Sequence, residues 1–234
     1  YYWDKLVSIS SPSFSPEGDK IVFTAVDFGG KQDLYLFDLP QQRLLRLTND
    51  FYLDQAASFS PDGRKIVFSS DRTQFGVDWC YNLFIYDLTS DLIYYLTTGP
   101  YQDNTPVWSP DGRYIAFTSD RDSAFNIWIA DLSSISEWTA DSYLRVQLKQ
   151  ISKFTNAAFN PEWVDDNRLL FSVYENNRFE IRQMDQLFSR SDSTHPTISN
   201  IPLFGHRSVG YREARYNLNY VTEKSINWIL PRRR

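Results

Sequence analysis

Ala57-Ser58-Phe59-Ser60-Pro61-Asp62-Gly63-Arg64-Lys65-Ile66-Val67-Phe68-Ser69-Ser70-Asp71-Arg72 carries the reading of the whole chain. It spells a short strand, a tight turn, a second strand and a charged exit. Pro61 presets φ at the first corner of the turn, and Asp62 is a residue that hydrogen-bonds its own backbone. Gly63 tolerates the left-handed conformation that closes the hairpin. On the second strand Ile66 and Phe68 fall on one face, with Val67 and Ser69 on the other. A lone hairpin of this kind has nothing to bury its apolar face against, so copies are required.

The copies exist. Ser13-Phe14-Ser15-Pro16-Glu17-Gly18 leads into Lys20–Thr24, and Val107-Trp108-Ser109-Pro110-Asp111-Gly112 leads into Arg113–Arg121. A degraded fourth copy runs Ala158-Phe159-Asn160-Pro161-Glu162-Trp163, its turn expanded by three residues through Val164–Asn167 before Arg168–Ser172. The aromatic markers Phe14, Phe59, Trp108 and Phe159 stand 45, 49 and 51 residues apart. A third strand follows each of the first three hairpins (Asp33–Leu39, Asn82–Leu88, Asn126–Leu132), and a fourth recurs at Leu44–Thr48, Ile93–Thr97 and, more weakly, Gln147–Ser152. Four short strands per period of this length predict an all-β chain built as a β-propeller of four-stranded antiparallel blades. The blades are expected over about 11–50, 56–98, 105–153 and 157–187. Four recognisable blades form part of a larger or incomplete propeller. Its open faces would lie at each end.

The flanks read differently. Lys5–Ile9 is taken as the outer strand of a preceding blade or a ring-closing strand. In the fourth copy Arg182-Gln183 replaces the apolar pairs of the other third strands, which suggests a sheet edge or a solvent-facing strand, and no fourth strand is evident after Asp185. Residues 188–205 form a polar connector, and 206–234 carry an alternating segment, Tyr216, Leu218 and Tyr220, outside the blade pattern. The chain opens Tyr1-Tyr2-Trp3-Asp4 and reads as an excised piece of a longer protein.

Composition narrows the function. Hydrophobic residues make up 42% and aromatics 17%, enough to fill a β core, and the formal charge of −5 argues against a nucleic-acid footprint. No run approaches the ~18 apolar residues of a spanning helix. Cys80 is the sole cysteine, so neither an internal disulfide nor a thiolate zinc site is expected. Only His195 and His206 are available as imidazole bases, both outside the blades, and no Gly-x-Ser-x-Gly elbow occurs. No catalytic residue, cofactor or metal ligand is therefore expected.

Recognition remains. Asp54 and Asp103 occupy equivalent places before the innermost strands, at the channel rim, where a carboxylate meets a cation or a basic peptide segment; Thr155 is taken as their counterpart in the fourth copy. The pairs Asp71-Arg72 and Asp120-Arg121 recur at one repeat position and are read as ties between a strand end and a neighbouring loop. Two aromatic loops, Thr73–Tyr81 with Trp79 and Ser133–Arg145 with Trp138 and Tyr143, are the candidate binding patch.

The Phe/Trp-Ser-Pro-Asp-Gly hairpin with Asp-Arg after its second strand resembles the TolB-like propeller repeat over roughly 11–185. Related repeats form the propellers of prolyl oligopeptidase-type enzymes. The resemblance implies a non-catalytic scaffold for protein or peptide recognition, periplasmic or cell-envelope associated. Its alternative is an accessory, gating propeller of a larger hydrolase. A short stretch, Tyr211–Val221, resembles the segment linking such propellers to a barrel-like region in some envelope proteins.

Overall fold

A computed structural model describes residues 6–72, 80–135, 138, 144–188 and 197–201. The chain divides into two units, Tyr1–Ile201 and Pro202–Arg234. The alternating segment expected within 206–234 lies outside the described residues.

Among the described residues, sixteen strands form four antiparallel sheets, each a meander in chain order. Blade one comprises β1 (Leu6–Phe14), β2 (Lys20–Asp27), β3 (Gln32–Asp38) and β4 (Arg43–Arg46). Blade two comprises β5 (Asp54–Phe59), β6 (Lys65–Ser70), β7 (Asn82–Asp87) and β8 (Leu92–Tyr95). Blade three comprises β9 (Asn104–Trp108), β10 (Tyr114–Ser119), β11 (Asn126–Asp131) and β12 (Gln147–Gln150). Blade four comprises β13 (Ala157–Asp165), β14 (Arg168–Glu175), β15 (Arg178–Asp185) and β16 (Thr197–Ile201). The all-β propeller architecture expected from the repeats is what the chain adopts. Among the described residues no helix is long and apolar enough to cross a membrane.

Period-2 alternation gives each blade two apolar faces. The face towards the next blade carries Val22, Leu34 and Leu36 in blade one, which pack on Ile66, Phe68, Phe84 and Tyr86 of blade two. Val67, Leu83 and Ile85 repeat this against Ile115 and Phe117, and Ala116, Ile127 and Ile129 repeat it against Leu169, Phe171 and Met184. Phe68, Phe84, Phe117 and Phe171 are fully buried, and each such ring contributes about 1.5–3 kcal/mol. Among the described residues no further sheet covers the leading face of blade one or the trailing face of blade four, so the blades form an open arc.

The turns interlock as well. Gly63 (φ 68°) and Gly112 (φ 72°) are left-handed, and a Cβ at either would lie 3.5 and 3.7 Å from Pro16 and Pro61, respectively. Each turn glycine thus sits under the turn proline of the preceding blade. In blades one to three the serine before the proline organises the turn. Ser60 Oγ donates to Asp62 Oδ1 (2.5 Å) and accepts from the Lys65 amide (2.9 Å), and Ser109 does the same with Asp111 and Tyr114.

Three expectations are corrected. First, Leu6–Phe14 is the first strand of blade one, paired along β2, and not part of a preceding blade. Second, of the two places expected for Arg182-Gln183 the sheet edge is excluded, because β15 lies between β14 and β16. Arg182 is accommodated there by Glu175 (2.7 Å) and Glu180 (2.8 Å), and a fourth strand does follow.

Third, the fourth copy is in a different register. Phe14, Phe59 and Trp108 pair with Ile21, Ile66 and Ile115, and the residue so paired in blade four is Trp163, with Leu169. The turn is not expanded. Asp165 pairs directly with Arg168 around Asp166-Asn167. Asn160-Pro161 mimics Ser-Pro in sequence but occupies a bulge inside β13, equivalent to Thr105-Pro106 in β9.

Candidate functional site

The first strands of the four blades pack in succession, β1 on β5, β5 on β9 and β9 on β13. Each breaks register at one equivalent residue in left-handed conformation: Ser11 (φ 50°), Ala56 (53°), Thr105 (49°) and Asn160 (52°). None is glycine, so each position is held by its surroundings against a local cost. Pro12, Ala57, Pro106 and Pro161 follow. These bulges line a common hollow of about 280 Å³. Its walls are otherwise neutral, and Glu162 is the one ionisable residue on them. Glu162, an exposed residue, has no hydrogen-bond or ion-pair partner among the described residues, and partial desolvation by the walls of the hollow pushes its pKa up.

Side chains crossing the seams fix the hollow. Gln32 Nε2 donates to the Asp54 carbonyl (2.8 Å), Gln55 Nε2 to Asn104 Oδ1 (2.7 Å) and Ser69 Oγ to the Asp103 carbonyl (2.6 Å). The Asn160 amide donates to Thr118 Oγ1 (3.2 Å) and Trp163 Nε1 to the Val107 carbonyl (3.2 Å).

Asp54 and Asp103 have no exposed surface. Asp54 accepts from Thr48 Oγ1 (2.7 Å) and from Arg72 Nη2 (2.8 and 2.9 Å). Asp103 accepts from Thr97 Oγ1 (2.6 Å), Ser119 Oγ (2.6 Å) and Arg121. The neighbouring acids tie the strand ends to loops: Asp71 accepts from the Leu53 amide (2.7 Å) and Asp120 from the Gln102 amide (2.8 Å). The repeat thus builds a two-part clasp at the end opposite the Pro-Asp-Gly turns. By the observed register the equivalents of Asp54 are Ile9 and Ala158, so only blades two and three carry it. Blade one substitutes Arg46, which pairs with Asp33 and with Asp27 (3.1 Å).

At the Pro-Asp-Gly end, Trp138 stands over the seam between blades two and three. Its ring meets Tyr94 edge-on at 5.4 Å, and Lys65 Nζ sits 4.9 Å from the ring centroid. Lys65 in turn donates to Asp87 (2.6 Å). Burial alone would raise the pKa of Asp87, but Lys65 and the amides of Thr89 and Ser90 outweigh it and hold the carboxyl below its ordinary range. Trp138, Trp108, Pro61, Gly112, Asp62 and Asp111 border a pocket of about 360 Å³. The two other residues expected in the aromatic patch, Trp79 and Tyr143, lie outside the described residues. Trp108, missed as a pocket residue because its role as a core marker hid it, is buried yet borders this pocket.

Among the described residues no group of three or more His, Cys, Asp or Glu could hold a metal ion. Cys80 is free and buried, and burial raises its pKa.

This geometry defines a propeller of rigid, clasped blades around a shared hollow. Residues 5–76 match the family model described as the TolB beta propeller domain. Among solved structures, the chain is similar to the putative TolB from Agrobacterium tumefaciens (TM-score 0.67, 18% identity, 83% of this chain and 65% of that one). It is also similar to TolB from Acinetobacter baumannii (TM-score 0.62, 22% identity, 86% and 44%). A third is the β-propeller domain of the Trilobed protease from Pyrococcus furiosus (TM-score 0.54, 14% identity, 85% and 58%). At these identities the likeness is one of fold. The chain spans less than two thirds of each. No curated protein sequence matches it.

Proposed function

We propose that this chain is a non-catalytic propeller scaffold that recognises a protein or peptide in the bacterial cell envelope. One observation carries the reading: Trp138 and Trp108 border a pocket on a seam whose backbone is fixed by interlocked turns. Rigid blades presenting an aromatic loop suit recognition, because little ordering entropy is lost on binding. The likeness to TolB propellers supports the envelope setting. Asp54 and Asp103 act as clasps that hold the opposite rim in shape. The test is a photo-crosslinking amino acid at position 138 in envelope-expressed protein, with a control at Arg168. A discrete adduct at 138 that disappears on adding unlabelled protein, and is absent at 168, is expected. Equal, non-saturable labelling at both positions would contradict the reading.

The Trilobed protease propeller supports a second reading, an accessory domain that gates or orients substrates for a hydrolase. A peptidase domain as the adduct partner at 138 would favour it.

A further inference from the structure

Trp108 and Trp163 stand at one repeat position, paired with Ile115 and Leu169, respectively. Trp163 Nε1 donates to the Val107 carbonyl of the preceding blade (3.2 Å). The matching carbonyl for Trp108 is that of Ser58, because Ser58 pairs with Val67 as Val107 pairs with Ala116. That bond is not made. Trp108 is 9% exposed, and its Nε1 has no hydrogen-bond partner among the described residues. Blade two fills the position with Phe59, which packs with no donor to satisfy. An indole N–H can only donate, and burying it unpaired opposes folding. Of the two indole donors left so, those of Trp108 and Trp128, the first belongs to a residue bordering the pocket of about 360 Å³ under Trp138.

The same pocket holds an unused acceptor. Its two carboxylates, Asp62 and Asp111, are the turn acids of blades two and three. In blade three Arg113 Nε closes on Asp111 Oδ2 (2.5 Å). In blade two the Ser60 hydroxyl (2.5 Å) and the Arg64 amide (3.1 Å) both donate to Asp62 Oδ1. Among the described residues Arg64 makes no ion pair with Asp62, and Oδ2 accepts from nothing. Desolvation alone would raise the pKa of Asp62, but that hydroxyl and amide outweigh it and keep the carboxyl ionised at neutral pH. Lys65, which also lines the pocket, is taken by Asp87 (2.6 Å). The unbalanced charge is therefore the negative one on Asp62.

We infer that this pocket takes one basic residue, arginine or lysine, from an extended segment of a partner protein. Its cationic head pairs with Asp62 Oδ2, its aliphatic stem lies against the Trp138 ring, and a main-chain carbonyl beside it accepts from Trp108 Nε1. The inference rests on the recognition role proposed above and gives that site its ligand chemistry. An acidic residue would meet the Asp62 charge, and a neutral one would leave Oδ2 without a cation. The volume lies near the low end for ligand pockets, about 300–1,000 Å³, which suits a single long side chain with its peptide groups. Nε1 is shut off from solvent, so the carbonyl reaches it with a shift of the pocket wall, of which half-buried Trp138 is a part.

Heteronuclear NMR of the indole N–H groups of the whole chain tests this. Trp108→Phe, the residue blade two carries at this position, identifies the Trp108 signal. The probes are the capped peptides Ac-Ala-Arg-Ala-NH2 and Ac-Ala-Lys-Ala-NH2, with Ac-Ala-Gln-Ala-NH2 as the neutral control. At least one basic peptide should move the Trp108 signal saturably with a millimolar Kd, and the glutamine peptide should bind roughly tenfold more weakly, the worth of a hydrogen bond to a charged group. Asp62→Asn, which keeps a turn-forming side chain, should reduce the basic peptide to the glutamine level. No saturable shift of the Trp108 signal, equal affinity for basic and neutral peptides, or undiminished affinity in folded Asp62→Asn would each overturn the inference. If Asp62→Asn does not fold, the comparison of peptides on the native chain decides. A specific adduct at position 138 without binding of a basic peptide would sink this ligand chemistry and leave the recognition role standing. Binding of a basic peptide with no such adduct would do the reverse.

Discussion

Arg72 places one guanidinium nitrogen 2.8 and 2.9 Å from the two carboxylate oxygens of Asp54, a residue with no exposed surface. The guanidinium also lies over the rings of Tyr52 and Phe68, each at 5.3 Å. Removing one member of a buried ion pair strands the other, at about 3–5 kcal/mol. Arg72→Ala should therefore lower the free energy of unfolding by about that much in a urea titration. The double variant Asp54→Leu/Arg72→Met should cost less than Arg72→Ala alone, because neither charge is left behind.

The register of blade four gives a sharper contrast. Trp163 packs on the core cluster shared by blades three and four and donates to the Val107 carbonyl, whereas Phe159 stands outside that cluster and meets the rings of Phe125 and Phe179. Trp163→Ala should cost about 2–4 kcal/mol in thermal or urea unfolding, near the range for large core truncations. Phe159→Ala should cost clearly less. The reverse order would restore Phe159 as the repeat marker.

Gly63 takes φ 68° beneath Pro16. A left-handed backbone costs a residue with a Cβ roughly 1–2 kcal/mol. Gly63→Ala should lose about that much stability by urea unfolding. Gly63→Asn should lose less, since asparagine adopts this conformation more readily.

Glu162 supplies a pH signature. Glu162 is exposed, and partial desolvation of its carboxyl by the walls of the hollow raises its folded pKa above the ordinary value near 4.5. Between that value and the raised one the native state holds more protons than the unfolded chain, so stability falls as pH rises through this window. Glu162→Gln removes the effect. The variant should be more stable than the native chain at neutral pH, and the gap should close as the pH drops below the folded pKa. A gap independent of pH would show that the carboxylate charge is not its cause.

Blades one to three were legible because their turns use residues with specific backbone demands: Pro61, Asp62 and Gly63 leave little choice of conformation. Blade four was misread for the same reason. Asn160-Pro161 copies the letters of that turn while doing the work of a bulge, and only pairing distinguishes the two. The fourth strand of that blade, Thr197–Ile201, escaped because Thr-Ile-Ser-Asn-Ile does not repeat the Leu44–Thr48 and Ile93–Thr97 pattern, so its pairing is set by the sheet and not by local pattern. At the clasp, the recurrence of Asp54 with Arg72 and Asp103 with Arg121 was visible. Which way the aspartates point was not, since a loop acid reads the same whether it faces solvent or an arginine. The left-handed bulges at Ser11, Ala56, Thr105 and Asn160 left no glycine to mark them.

The central claim is that successive repeats stand face to face as blades around one hollow. Gln55 and Asn104 meet across the second seam at 2.7 Å despite lying 49 residues apart. In a Cys80→Ser background, Gln55→Cys/Asn104→Cys should close with a short bis-maleimide within the monomer and keep one cooperative melting transition. Gln55→Cys/Asp166→Cys, at opposite blade ends, should not close. Failure of the first pair, or equal closure of the second, would contradict the seam and the propeller built on it.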